Sequence, residues 1–265
     1  MTTFGLRTAA GLGAVAVSLV LAGGAAAQTA GGDLSPLQIA AACAPPPEFY
    51  APHPKAVQVA GAQDTVARSV FDNRDLLVLD GGSARGLALG QQYFVRRVAG
   101  YPPALGPGVH GVETAGWVRV VAVDEKTAIA SVEHACRPIQ QHDYLEPFSV
   151  PAVPDVSPGP ASPDGLDFMA PAHVLFSDAD RPVGAIGEFM LIDHGTKDGV
   201  ATGTRFEIFR DLPAFSLMPV DMAGKLPLSS IADAVVVSVG PQAAVIRIAN
   251  ARDAVHRGDL AVPRK

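Results

Sequence analysis

Basic clusters, long apolar runs and cysteines are scarce in this sequence, and each shortage excludes a class of protein. Charged residues make up 17% of the 265 residues, and the net charge is −6 with no block of Lys or Arg. Because contacts to phosphate groups need clustered basic side chains, we expect no nucleic-acid partner. Beyond Ala27 no apolar stretch approaches the roughly 20 residues that a membrane-spanning helix needs, so we expect no integral membrane span there.

Motifs that carry catalysis are also missing. The chain has neither a Gly-x-Ser-x-Gly nucleophile elbow nor a His-Glu-x-x-His zinc motif. Neither cysteine has a Cys or His at a spacing typical of zinc ligands. We therefore predict no catalytic residue, no metal and no cofactor. His142 beside Asp143, and His194 beside Asp193, leave open the alternative of a metal-dependent or other hydrolase.

The N-terminus has the pattern of a cleavable export signal. Arg7 precedes a Gly/Ala-rich apolar run, and the small residues of 25–27 then form an Ala-x-Ala cleavage site. We predict cleavage after Ala27, which makes residues 1–27 a signal peptide and places the protein in the periplasm or outside the cell. The alternatives are an uncleaved membrane anchor and a lipoprotein attached at Cys43.

Cys43 and Cys136 are the only cysteines. In an exported protein an even cysteine count favours a disulfide, so we predict that these two residues pair. A crosslink across so long a loop stabilises a fold by roughly 4–5 kcal/mol in the chain-entropy model. The alternative is two buried free thiols.

Prolines divide the chain into segments. Ser35 followed by Pro36 predicts a helix start, with a short helix to about Cys43, and a Pro-rich linker completes segment 28–57. A second Pro-rich stretch at 150–164 is typical of a semi-rigid spacer. We predict a first β module at 58–149 and a second at 165–265.

The two predicted modules are similar in sequence, which indicates an internal duplication. Two blocks recur in the same order, the first around a glycine-rich loop and the second around a hairpin and a closing strand. Matched residues of the two copies are Asp80 with Asp193, Tyr93 with Phe206, Arg97 with Arg210, Val132 with Ile248, Asp143 with Asp259 and Pro147 with Pro263.

Apolar spacing within each copy is that of short antiparallel strands rich in Val and Ile. The predicted strands are 76–79, 93–97, 117–123, 128–132 and 144–146 in the first copy, and 189–192, 205–209, 235–239, 244–248 and 260–262 in the second. A further strand at 173–176 leads the second copy, with a counterpart expected at 65–70. The fold class is therefore all-β, with two small barrel-like or sandwich-like modules.

Glycine recurs at every fourth position of one loop in each copy. These glycines are Gly82, Gly86 and Gly90 in the first copy and Gly195, Gly199 and Gly203 in the second. The loops lack the Gly-Lys-Ser/Thr end of a phosphate-binding loop and run into strands, so we predict structural turns instead.

Two long loops, 99–116 and 211–230, are the predicted binding elements, because long loops in compact modules are often functional. The second is apolar, and its partner-binding candidates are Phe215, Leu217, Met218 and Met222. The alternative is that this loop folds over its own module. Trp117, the only tryptophan, is expected in the core instead of in ligand stacking.

The motif Asp-x-Gly-x3-Gly-x3-Gly-x2-aromatic, with a later Gly-Asp-x-x-x-Pro, resembles the C-terminal module of the flagellar assembly protein T. Similar modules occur in envelope proteins that carry LysM repeats. The matching residues are Asp193, Gly195, Gly199, Gly203, Phe206, Gly258, Asp259 and Pro263, and in the first copy His142 replaces the motif glycine. The resemblance implies a non-catalytic β module of the cell envelope.

These observations together predict an exported, non-catalytic protein for envelope binding or assembly, with a protein or peptidoglycan partner. The hydrolase alternative and a purely structural spacer remain the competing interpretations.

Overall fold

A computed structural model describes residues 34–47, 56–100, 110–154, 165–177, 181–211 and 228–264. The predicted signal peptide and its cleavage site lie outside the described residues, as do Phe215, Leu217, Met218 and Met222.

Helix α1 spans Pro36–Cys43, as the sequence predicts. Its N-terminus is fixed by a capping box, in which the backbone N–H of Gln38 donates to Ser35 Oγ at 3.3 Å and the backbone N–H of Ser35 donates to Gln38 Oε1 at 2.9 Å. Proline is favourable in the first turn, because a backbone N–H at that position has no acceptor within the helix. No helix in the described part of the chain is long and apolar enough to cross a membrane.

The first barrel contains six antiparallel strands in the order β1-β3-β6-β5-β4-β8. A bridge between Gln58 and Tyr144 brings its two edges together, and the backbone N–H of Val59 donates to the carbonyl of Asp143 at 2.9 Å. Strands β2 and β7 form a separate small ladder. The strands are β1 Val59–Ala62, β2 Val70–Phe71, β3 Leu76–Leu79, β4 Gln92–Gly100, β5 His110–Val123, β6 Ala128–Ala135, β7 Ile139–Gln140 and β8 Tyr144–Pro147.

The second barrel is closed, in the order β11-β14-β13-β12-β16-β9, and a β10–β15 ladder lies beside it. Its strands are β9 Ala172–Ser177, β10 Val183–Gly184, β11 Phe189–Ile192, β12 Arg205–Asp211, β13 Leu228–Val239, β14 Ala244–Ala251, β15 Val255–His256 and β16 Leu260–Pro263. Strand for strand, this order repeats that of the first barrel. The all-β prediction is confirmed.

One predicted strand of the first copy needs correction. The counterpart of β9 is β1 at Val59–Ala62, because β1 pairs with β3 as β9 pairs with β11. The strand expected at 65–70 is wrong, since only Val70 of that segment is in a strand, and β2 pairs with β7. Arg68 of that segment instead binds the exposed carboxylate of Asp64 and the half-buried carboxylate of Asp75.

The predicted loops are also shorter than expected. Strand β4 continues to Gly100 and β5 begins at His110, while β12 continues to Asp211 and β13 begins at Leu228. Both loops are therefore the ends of long β-hairpins. The pairing of each arm continues through a β-bulge, at Val95/Arg96 and at Ile208/Phe209, which sequence periodicity does not reveal.

Each barrel has its own apolar interior. Val118 and Leu77 lie at the centre of the first, and Phe206 and Ile246 lie at the centre of the second. Burying such side chains stabilises each barrel by about 1.5–3 kcal/mol apiece.

Helix α1 lies between the two barrels. Ala42 packs with Phe94 and Trp117 on the first barrel, and Ala44 packs with Phe189 and Val245 on the second. Thr114 Oγ1 in β5 donates to the carbonyl of Ala44 at 2.9 Å, which fixes the end of the helix on the first barrel. The helix is therefore a shared layer that joins the barrels.

The Pro-rich linker adds to this layer. Phe148 and Val150 pack beside Trp117, and Val153 packs with the second barrel. Pro47, after α1, approaches Gly240 so closely that a Cβ on Gly240 would clash with the proline carbonyl. The described parts of both Pro-rich segments thus lie against the barrels.

Candidate functional site

The cysteines form the predicted disulfide. Cys43 at the end of α1 bonds to Cys136, which directly follows β6, and the two residues are 93 positions apart in the chain. The bond anchors α1 to the first barrel, and the helix in turn covers part of the second.

His134 completes a group of three possible metal ligands with Cys43 and Cys136. Their ligand atoms lie within 4.8 Å of one another, and no other such group occurs among the residues that the structure describes. His134 and Cys136 are two positions apart, and alternate residues of an extended chain lie on the same side. The sequence alone therefore indicates that these two side chains are neighbours. In the disulfide, however, neither sulfur offers a thiolate to a metal. His134 stacks on Trp117 at 4.6 Å between ring centroids.

Trp117 itself belongs to the core. It is 5% exposed, and its ring also lies 5.5 Å from that of Phe148. The prediction of a core role is confirmed by this burial.

The glycine loops have two distinct structural reasons for glycine. Gly86, Gly90, Gly199 and Gly203 have φ between 80° and 87°, a region that side chains with a Cβ rarely adopt. Gly82 and Gly195 have negative φ, but a Cβ there would clash with the carbonyl oxygens of Asp124 and Gly240 respectively. Both loops pass through one 3₁₀ turn and lead to a strand.

An arginine–aspartate ion pair recurs at the same place in both barrels. Arg97 Nε donates to Asp143 Oδ1 at 2.8 Å, and its Nη2 donates to Asp143 Oδ2 at 2.7 Å. In the second barrel Arg210 makes the same two bonds to Asp259, at 2.8 and 2.7 Å. The hydrogen bonds to the carboxylates raise the pKa of both arginines above the usual value despite partial burial.

The same carboxylates also fix a turn. Asp143 accepts from the backbone N–H of Gln140 at 2.8 Å, and Asp259 accepts from that of His256 at 2.6 Å. Each carboxylate thus accepts from the residue three positions before it and holds the turn closed, whereas an Asx turn would bond the residue two positions on. The sequence does not reveal that Arg97 and Arg210 bind these aspartates, although the two arginines match in the repeat, because the pairing depends on strand register.

The residues of the hydrolase alternative lie in different barrels. His142 and Asp143 are in the first, whereas His194 is in the second and contacts Asp193 at 3.1 Å. His142 has φ 74° at the turn position where the second barrel has Gly258 at φ 88°.

Asp193 accepts from the backbone N–H of His173 at 2.6 Å and also contacts the His173 ring at 3.0 Å. In the first barrel Asp80 makes the corresponding backbone contact, accepting from the N–H of Gln58 at 2.7 Å. The aspartate therefore holds the leading strand in both barrels, while the histidines around it are not repeated.

A cavity of about 350 Å³, which we call the junction cavity, lies between the barrels. Arg96 is its charged residue; it binds Thr114 and Glu146 and stacks on Phe94 at 4.0 Å. The other walls are apolar or small and come from α1, both linkers and the second barrel: Ala41, Ala42, Ala44, Pro45, Pro46, Pro47, Ser149, Val150, Pro151, Ala152, Thr202, Val237, Ser238, Val239 and Val245. No nucleophile–base pair lines it.

A second cavity of about 510 Å³ lies beside the C-terminal end of β12, in the β12–β13 hairpin region. We call it the hairpin cavity. Its lining combines an aromatic ring, two imidazoles and two guanidinium groups, contributed by His173, Phe209, Arg210, His256, Arg257, Gly258, Asp259 and Leu260. Arg210 and Asp259 are already paired with each other, and Arg257 Nε donates to the carbonyl of Leu175 at 2.7 Å.

Apolar side chains continue the surface next to the hairpin cavity. Phe168 packs on Phe209 with 5.2 Å between ring centroids, and Met169 beside it is 92% exposed. The predicted partner-binding residues of segment 212–227 follow directly after β12 in the chain. The sequence does not single out Phe168 and Met169, because they precede the first strand of the barrel in a segment without periodicity.

No protein-family model matches this chain, and no curated protein matches it. The resemblance to the flagellar assembly module stays a prediction that rests on the motif residues.

Proposed function

We propose that this chain is an exported, non-catalytic β-module protein that serves binding or assembly in the cell envelope, with a protein or peptidoglycan partner. The proposal rests chiefly on one difference between the repeated barrels. In the first barrel the outer face of β4 holds a helix of the same chain, whereas in the second barrel the corresponding face of β12 borders the hairpin cavity.

The occupied face shows how this module binds a segment of chain. Phe94 packs against Phe148, with 4.6 Å between the ring centroids, and also against α1. Thr114 donates to the carbonyl of Ala44 at the end of the helix, and Arg96 donates to Thr114. In the repeat, Arg96 corresponds to Phe209. Phe94 and Trp117, which contact the helix in the first barrel, correspond to Glu207 and Asp233, and both of these carboxylates bind Arg264 in the second. On the same strand as Glu207, the aromatic ring of Phe209 borders the hairpin cavity.

Binding fits the chemistry of the hairpin cavity better than catalysis does. Its carboxylate and one guanidinium are fixed in the Arg210–Asp259 pair, and a general base needs to reach a substrate proton. Aromatic rings with nearby cationic and imidazole groups are typical of recognition surfaces. The disulfide and the predicted signal peptide support an oxidising compartment outside the cytoplasm.

Loop replacement in the full exported chain tests this function. Residues 212–227 are replaced by Asn-Gly, which closes a two-residue hairpin between β12 and β13. The matched control replaces 101–109 between β4 and β5 in the same way. We expect the first variant to lose specific capture of envelope proteins or binding to purified peptidoglycan, whereas the control keeps it.

Two results would count against this function. Equal capture by both variants would exclude the β12–β13 hairpin as the binding element. Stoichiometric bound metal in the purified protein, lost when His142, Asp143 or His194 is replaced, would favour the hydrolase alternative instead.

A further inference from the structure

The first barrel carries an exposed apolar patch on the outer side of β3, β5 and β6. We define this outer patch as Leu76, Val78, Val121 and Ile129. Leu76 is 42% exposed and Val121 is 43% exposed, while Val78 and Ile129 are half-buried and face each other across the β3–β6 pair. Contiguous exposed apolar surface of this kind marks interaction sites more often than isolated residues do.

The same positions are covered in the second barrel. In the repeat, Leu76 corresponds to Phe189 and Val121 to Val237, which are 6% and 8% exposed. Val78 and Ile129 correspond to Leu191 and Val245, both buried. The chain therefore contains the same barrel face twice, once covered and once open.

Helix α1 and the linker that follows the first barrel cover this face in the second barrel. Leu37 and Ala41 of α1, the C-cap residue Ala44 and Val153 of the linker pack on this face. Helix α1 itself packs on the β4–β5 face of the first barrel. The β4–β5 face of the first barrel thus contacts α1, and α1 contacts the β11–β14 face of the second barrel. That second face is the equivalent of the outer patch on β3 and β6.

Repetition of this arrangement specifies the next partner. The β4–β5 face of the first barrel corresponds to the β12–β13 face of the second, where Glu207 and Asp233 replace Phe94 and Trp117 and bind Arg264. The apolar part of this face is Phe209, on which Phe168 packs, with the exposed Met169 beside it. Another barrel added in the same way would place its outer patch there. A second copy of this chain supplies that barrel.

We propose that the outer patch of one copy docks on the Phe168–Met169 surface of a second copy, so that the chain associates head to tail. The two surfaces differ, so the contact is heterologous and can extend to further copies. This inference rests on the proposed binding role of the second-barrel surface and names a partner for it. Leu76 and Val121 insert beside Met169, an adaptable side chain suited to irregular apolar contacts.

Sedimentation of the full exported chain, with its disulfide intact, tests the docking. The weight-average mass of the wild type should reach at least about twice that of one chain as concentration rises. A patch variant, Leu76→Glu with Val121→Glu, and a donor variant, Phe168→Ser with Met169→Glu, should each stay at the mass of one chain. Ile186→Glu, at an exposed site away from both surfaces, is the matched control and should associate as the wild type does.

Mixing the two variants makes the test specific for head-to-tail geometry. Each variant keeps one intact surface, so an equal mixture should form pairs and stop at about twice the mass of one chain. Thermal unfolding of each variant confirms that it is folded.

The proposal would be overturned by a wild type that stays at the mass of one chain up to millimolar concentration. Self-association by the donor variant alone would overturn it too, because patch would then meet patch. A monomeric wild type that still shows loop-dependent capture of envelope components would overturn the docking and leave the proposed function intact.

Discussion

Replacement of both cysteines by serine should lower the free energy of unfolding by about 4–5 kcal/mol, the largest effect expected from any change considered for this chain. The disulfide closes a loop between residues 93 positions apart, so its loss increases the conformational entropy of the unfolded chain and favours unfolding. It also releases α1 from the first barrel, and α1 is part of the apolar layer that covers the second.

Urea denaturation measures this effect. The comparison is between the oxidised wild type, the reduced wild type and the Cys43→Ser, Cys136→Ser variant, with the reduced protein expected to match the variant. Alkylation of the oxidised protein without reductant should leave both cysteines unmodified in its intact mass. Equal unfolding midpoints for oxidised and reduced protein would show that the crosslink does not hold the fold together.

Asp259→Asn should lower the free energy of unfolding by about 3 kcal/mol, because removing one partner of a buried ion pair leaves the other charge without compensation. Asp259 is 5% exposed and accepts two bonds from Arg210 as well as the His256 N–H. Asp143→Asn should have a similar effect through Arg97 in the first barrel.

The chain offers a matched control for this prediction. Asp253 also contacts Arg210, at 3.1 Å, but its side chain is 65% exposed. An exposed ion pair contributes less than about 1 kcal/mol, so Asp253→Asn should change the urea midpoint little. Equal effects of Asp253→Asn and Asp259→Asn would contradict the structural role of the recurring pair.

Local features of the fold could be predicted from the sequence because their causes are local. Ser35, Pro36 and Gln38 contain the whole start of α1, and the helix has the predicted bounds. The strands at 76–79 and 189–192 also match, since short Val/Leu/Ile runs between turn residues have few other interpretations. Strand β1, with the sequence Val-Ala-Gly-Ala, was missed because two small residues and a glycine carry almost no strand signal.

Features that depend on register and on contacts between distant segments could not be predicted. The Arg97–Asp143 pair joins β4 to the turn before β8, and only the observed register brings these residues together. The position of α1 between the barrels depends on how two separate apolar faces match in space. The difference between Leu76 and Phe189, one open and one covered, is likewise invisible in the repeat alone, since both residues are apolar.

Helix α1 packs on both barrels and holds them in a fixed relation, and a distance measurement between the barrels tests this arrangement most directly. Spin labels carried on unnatural amino acids at the exposed positions Val66 and Ile186 leave the disulfide intact, and pulsed electron paramagnetic resonance gives the distance distribution. The fixed arrangement predicts one narrow distribution in the oxidised protein and a broad one after reduction. A distribution equally broad before and after reduction would contradict it.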